Sequence, residues 1–122
     1  MKKIIIIFSF MLLVMSVHAQ KKNAKVSCEV DGVCMMCKKR IEAAALKTKG
    51  VKFASWDVRT HELKLIIDER KTTLQKVQKN IADAGHDSKE VKATTEAYEG
   101  IHPCCKYRSE AVKEEHQKGE TE

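Results

Sequence analysis

The chain has 122 residues, with 23 Lys and Arg against 17 Asp and Glu and a formal net charge of +6. That charge is spread without arginine clusters or interleaved aromatics, which argues against nucleic-acid binding and for lysines that solvate the surface. Aromatic residues make up only 5% of the sequence, so the core has to come from Val, Ile, Leu and Ala, enough for one small domain and a tail.

Residues 1–19 read as a signal peptide. Lys2 and Lys3 give a basic start, "IIIIFSFMLLVM" an apolar core, and "SVHA" a small residue suited to cleavage after Ala19. The apolar run is short for a permanent span, which needs about 20 residues, so an uncleaved anchor is the weaker alternative and no stable membrane insertion is expected after cleavage. An exported chain, periplasmic or secreted, is therefore expected. Loss of the leader takes the formal net charge from +6 to +4.

Beyond the leader, "AKVSCEVD" (24–31) alternates, with Val26, Cys28 and Val30 on one face, as a half-buried strand does. A helix follows from Met35 to about Lys49, closed by Gly50. "VKFASWDV" (51–58) and "ELKLIIDE" (62–69) read as two strands joined by the polar turn "RTHE". Phe53 and Trp56 are expected to pack in the core. "KTTLQKVQKNIADAG" gives a second helix, with Thr72 or Thr73 as N-cap and an apolar stripe of Leu74, Val77, Ile81 and Ala84. "SKEVKAT" (88–94) is the faintest of the strands.

The order β-α-β-β-α-β predicts an α+β fold of ferredoxin-like type, a four-stranded antiparallel sheet with both helices on one face. It spans residues 24–94. Residues 95–122 form an extension in which "AYEGIHPCCKYR" has aromatics suited to docking on the domain, and "SEAVKEEHQKGETE" is a polar end expected to be disordered or a frayed helix.

Five cysteines, at 28, 34, 37, 104 and 105, form an odd set of one CxxC and one adjacent pair. That pattern suits reactive thiols better than a disulfide framework. In "DGVCMMCKKRIE" Cys34 precedes the first helical turn and Cys37 lies within it, so their sulfurs can converge on one centre. The helix N-terminus, with Lys38, Lys39 and Arg40 beyond it, favours thiolate. Two thiolates without hard ligands suit soft ions, Cu(I) above all and also Hg(II) or Zn(II), and such a site stays open to an incoming partner thiol.

This stretch resembles the heavy-metal-associated domain family, found in copper chaperones, copper-pump N-termini and the periplasmic mercury-binding protein. The resemblance runs from about Lys25 to Lys92, through "GVCMMCKKRIEAAALKTKGV", "WDVRTHELKLIID" and "IADAGHD". It implies that Cys34 and Cys37 are the metal ligands. The family usually has two residues between the glycine and the first cysteine, one a buried methionine; here only Val33 separates Gly32 from Cys34. Met35 or Met36 is expected to pack down in its place, with thioether ligation as the alternative. His86 matches a family position near the metal loop and is expected to support or pack against the site, or else to ligate. Cys28, on the inward face of its strand, is expected to act as a small hydrophobe.

"HPCC" lies outside the family signature. His102, Cys104 and Cys105 could close a four-ligand site or a small Cu(I) cluster, supply a resolving thiol, link two copies through metal or disulfide, or do nothing. The resulting expectation is a non-enzymatic, exported soft-metal carrier that exchanges its ion with a donor or acceptor such as a membrane metal transporter. The alternative is a thiol–disulfide redox protein using the same CxxC. A thioredoxin-like site, however, needs another strand order and an opposing cis-proline, and the only proline is Pro103 in the tail.

Overall fold

The computed structural model describes residues 19–119. The expected signal peptide, residues 1–18 of it, lies outside the described residues, and among those described no helix is long and apolar enough to cross a membrane.

Strand β1 (Ala24–Glu29) is followed by helix α1 (Met35–Lys47), strands β2 (Val51–Trp56) and β3 (Glu62–Ile67), and helix α2 (Leu74–Asp83). The strands form an antiparallel sheet in the order β1-β3-β2. Cys28 of β1 and Trp56 of β2 both sit opposite Leu63 of the central strand. Alternation along β3 sends Leu63, Leu65 and Ile67 into the core, where they meet Ile41, Ala44 and Ala45 of α1 and Val77 and Ile81 of α2. Helix α1 packs on α2 and on β2. This is the ferredoxin-like sandwich with one strand reduced. Thr73 is the N-cap of α2, its hydroxyl accepting the Lys76 N–H.

The expected fourth strand survives only as a single antiparallel bridge between Val30 and Ser88. The reason is local competition for backbone groups. The Ser88 N–H donates to the Val91 carbonyl (2.9 Å) and the Ser88 hydroxyl accepts the Val91 N–H (3.3 Å), so the chain turns on itself. The Ala93 N–H then goes to the Asp87 carboxylate (2.7 Å) and not to the edge of β1. Side chains of this kind offer the backbone an alternative to a ladder.

Phe53 also departs from expectation. It is 48% exposed, because it shares an unbroken register with Trp56 three residues on, and strand alternation then turns it to the opposite face, whereas Trp56 is buried as expected.

After α2 the chain makes a short helix α3 (Thr95–Glu99), a 3-10 turn (Pro103–Cys105) and helix α4 (Glu110–Gly119). The polar end is thus helical over 110–119, with none of its residues buried. Tyr98, Ile101, Cys105 and Tyr107 of this extension belong to the same core cluster as the sheet and helices.

Candidate metal centre

Cys34 is the N-cap of α1, in extended backbone conformation, and its sulfur accepts the Cys37 N–H at 3.4 Å. The position that Ser or Asp usually fills at a helix start is thus held by a thiol, with unpaired helical N–H groups facing it. One turn later Cys37 is fully buried. Gly32 lets the loop close. A Cβ there would meet the Trp56 ring at 2.9 Å and the Cys37 Cβ at 3.0 Å. Trp56 in turn donates its ring N–H to the Val30 carbonyl (3.0 Å), clamping the loop against β2.

The tail completes the site. Five sulfurs run in a row, from Cys37 to Cys34 (3.3 Å), Cys34 to Cys105 (3.2 Å), Cys105 to Cys104 (3.8 Å) and Cys104 to Met36 (3.5 Å). The sulfurs of Cys34, Cys104 and Cys105 all lie within 4.8 Å of one another. Two sulfurs on one ion are separated by at most twice a bond of about 2.3 Å, roughly 4.6 Å, so each neighbouring pair in the row is close enough to share an ion.

The titration pattern is uneven along the row. For Cys34 desolvation pushes the thiol up, but the Cys37 N–H, the Cys105 and Cys37 thiols and the Met36 N–H together bring it below its ordinary value. Desolvation raises Cys37. It also pushes Cys104 up to about 11 and Cys105 up to about 12, aided in each case by neighbouring thiols. Cys34 is therefore the first thiol of the row to give up its proton, with the hydrogen bonds of its neighbours favouring the charged form. Lys38 contributes less than its position in the sequence implies, because its ammonium is engaged by the Trp56 carbonyl (2.6 Å) and by Glu42.

The segment "GHD" fixes both halves of the site. His86 is fully buried, and its Nδ1 donates to the Asp31 carbonyl (2.8 Å), bracing the loop that leads to Cys34 from behind. Burial lowers its pKa, which keeps the ring neutral. It stacks on Tyr107 with ring centroids 5.3 Å apart. The Tyr107 hydroxyl donates to the Gly85 carbonyl (2.7 Å) and accepts the Asp87 N–H (3.0 Å). Arg108 makes a two-pronged contact with the Asp87 carboxylate, Nη2 at 2.8 Å and Nε at 3.1 Å, and lies over the Tyr98 ring. At the outer side His116 donates from Nε2 to the Cys104 carbonyl (3.0 Å).

Of the residues singled out in the sequence, the structure therefore gathers Cys34, Cys37, Cys104 and Cys105. His102 caps the 3-10 turn, its Nδ1 accepting the Cys104 N–H (3.2 Å) and lying 3.1 Å from the Cys104 sulfur. His86 supports the loop and lies outside the sulfur row. Cys28 keeps apart, packed against the core with its pKa raised to about 11 by desolvation. The expected packing-down of a methionine does not occur. Met35 and Met36 are 59% and 43% exposed, and Val33 packs against the core instead. Asp87, Tyr98, Tyr107 and Arg108 escaped the sequence reading as positioning residues; the only signal was the aromatic content of the tail.

A sulfur-rich cluster at the tip of a ferredoxin-like sandwich defines a class of proteins that handle soft metals. Residues 28–87 match the heavy-metal-associated domain, and over that stretch the chain belongs to this family. A search of curated proteins gave no match. Among solved structures, the CopZ metallochaperone is similar at 24% identity and a TM-score of 0.52, covering 53% of this chain and 98% of that one. A copper-binding domain of a P-type ATPase is 26% identical with a TM-score of 0.52, covering 53% of this chain and 89% of its own. Oxidized MerP from Ralstonia metallidurans CH34 is 28% identical with a TM-score of 0.47, covering 53% and 94%. The family match ends at residue 87, so the tail that supplies Cys104 and Cys105 lies beyond it.

Proposed function

We propose that this protein is an exported soft-metal carrier that holds Cu(I) at Cys34 and Cys37, with Cys105 as a third thiolate. One observation carries the reading: the sulfurs of Cys37, Cys34 and Cys105 lie at successive spacings of 3.3 and 3.2 Å at a helix N-terminus. Soft thiolates without a carboxylate among them favour Cu(I), with Hg(II) next and Zn(II) requiring a fourth ligand. The similarity to a copper-binding P-type ATPase domain supports a membrane metal transporter as the exchange partner. Export rests on the leader. The protein binds and transfers; it performs no catalysis.

Exchange is straightforward on this geometry. Each thiol that becomes a ligand releases its proton to solvent. Cys34 is half-buried and Cys37 buried, so an incoming thiolate reaches the ion from the side of Cys34. The tail occupies part of that approach, and its displacement would precede handover.

The test is an anaerobic Cu(I) competition titration on reduced protein beside the Cys34→Ser/Cys37→Ser variant. A tight site in the wild type that the variant loses is the expected result. Affinity that survives the double substitution sinks the assignment and brings thiol–disulfide chemistry forward. Parallel titrations with Hg(II) and Zn(II) rank the ions.

A further inference from the structure

We infer that the site holds two Cu(I) ions, the second bound by Cys104 and Met36 with Cys105 as a thiolate shared between them. This rests on the carrier reading above and adds a second ion with its own ligands. Three observations lead to it.

The first is the count of donors. The row contains five sulfurs, whereas an ion at Cys34, Cys37 and Cys105 uses three. Cys104 and Met36 are left over, adjacent to each other at 3.5 Å and to Cys105 through the 3.8 Å spacing from Cys104. These three sulfurs offer a thiolate, a thioether and a bridging thiolate, a donor set that suits Cu(I) and is poor for harder ions.

The second is the position of Met36. Met36 is 43% exposed on the first turn of α1, and its sulfur lies 3.5 Å from a thiol 68 positions further along the chain. Met35 is 59% exposed as well, and among the described residues no sulfur contact places it in the row; the contact, not the exposure, sets Met36 apart.

The third is the way the backbone presents Cys104. His102 receives the Cys104 N–H and His116 donates to the Cys104 carbonyl, so both main-chain groups are tied. The held backbone fixes the Cys104 Cα–Cβ bond, and the sulfur it carries lies 3.5 Å from Met36 and 3.8 Å from Cys105. Such bracing of a ligand by neighbouring hydrogen bonds is typical of metal sites. His102 and His116 are positioning residues here.

Anaerobic Cu(I) titration against a competing chelator tests this, with copper X-ray absorption on the loaded protein. The wild type should take up two Cu(I) per chain, with a copper–copper vector in the absorption spectrum. Met36→Leu keeps the helix and the side-chain volume; in it the second ion should bind about 10- to 100-fold more weakly while the first is unchanged. Cys104→Ser should bind one ion and lose the copper–copper vector. Uptake of a single ion that depends on Cys34 and Cys37 overturns the two-ion inference and leaves the carrier reading standing. Two ions indifferent to Met36→Leu and Cys104→Ser also overturn it. Absence of any ion dependent on Cys34 and Cys37 overturns both.

Discussion

Cys34 and Cys105 are 71 positions apart in the chain, yet their sulfurs lie 3.2 Å from each other. The first caps a helix of the family domain, and the second comes from a tail outside the family match. This contact makes the tail part of the site and turns an open two-thiol loop into a row of sulfurs.

Metal affinity should fall steeply as the pH is lowered. Cys37 is raised, and Cys104 and Cys105 stand at about 11 and about 12, so all three carry protons at neutral pH, whereas Cys34 is lowered and gives up its proton first. Binding must expel those protons, and each one displaced weakens apparent affinity about tenfold per pH unit on acidification. Cu(I) competition titrations between about pH 6 and 8 should show affinity rising with pH, steeper in the wild type than in Cys105→Ser. A flat profile would count against thiolate ligation.

Tail docking should depend on the Asp87–Arg108 pair. Arg108→Ala removes both prongs from a carboxylate whose side chain is only 9% exposed, at a cost of about 2 kcal/mol. Limited proteolysis should then cut within residues 95–109 faster while the sheet stays protected. Against the burial that would raise it, Arg108 and the Ala93 N–H hold the Asp87 pKa below its ordinary value. A depressed carboxylate contributes stability that is complete above its unfolded pKa, about 3.9, and is lost as pH falls through the folded value. The tail should therefore remain docked through mildly acid pH and release only at strongly acid pH. Hydrogen exchange of the Tyr98 and Cys105 amides would report it.

Tyr107→Phe isolates one hydroxyl. The ring contacts with His86 and Tyr98 survive, but the Gly85 carbonyl and Asp87 N–H lose their partner in a buried place. The expected cost is about 1–3 kcal/mol, read as a lower urea midpoint at unchanged slope. An unchanged midpoint would mean that water replaces the hydroxyl.

Gly32→Ala should damage the loop itself. The added methyl would press on the Trp56 ring and the Cys37 Cβ, both in the packed core. Overpacking of this kind costs about 1–3 kcal/mol. Displacement of Cys37 should also weaken Cu(I) binding. Retention of both stability and affinity would show that the loop shifts freely and that Trp56 does not clamp it.

Gly85→Ala should act on the tail in a different way. Gly85 has a φ of +103°, and a Cβ would run into Ile101 and the Ala97 carbonyl. Both strain and collision push α3 and the following turn away from the domain. The variant should retain an ion at Cys34 and Cys37 with lower affinity, because Cys105 no longer reaches it. Affinity equal to wild type, with hydrogen exchange showing the tail released, would remove Cys105 from the ligand set.

By itself the sequence determined whatever local chemistry controls. Alternation in β3, the apolar stripe of Val77 and Ile81, the Thr73 cap and the CxxC at a helix start each depend on neighbours within a few residues, and all are found in place. The fate of residues 88–94 was not legible, because Ser88 and Asp87 compete with β1 for the same N–H groups and the winner depends on which partner lies within reach. Met36 and Phe53 depart from expectation for a related reason: hydrophobicity is a property of the residue, but burial follows from which face of the helix or strand meets the core. The tertiary structure alone decided that the tail returns to the loop. That return rests on Tyr107 meeting Gly85 and Asp87, and Arg108 meeting Asp87, contacts between residues some 20 positions apart with no periodic trace in the sequence. With them in place, the Cys105 sulfur lies against Cys34 and the Cys104 sulfur against Met36.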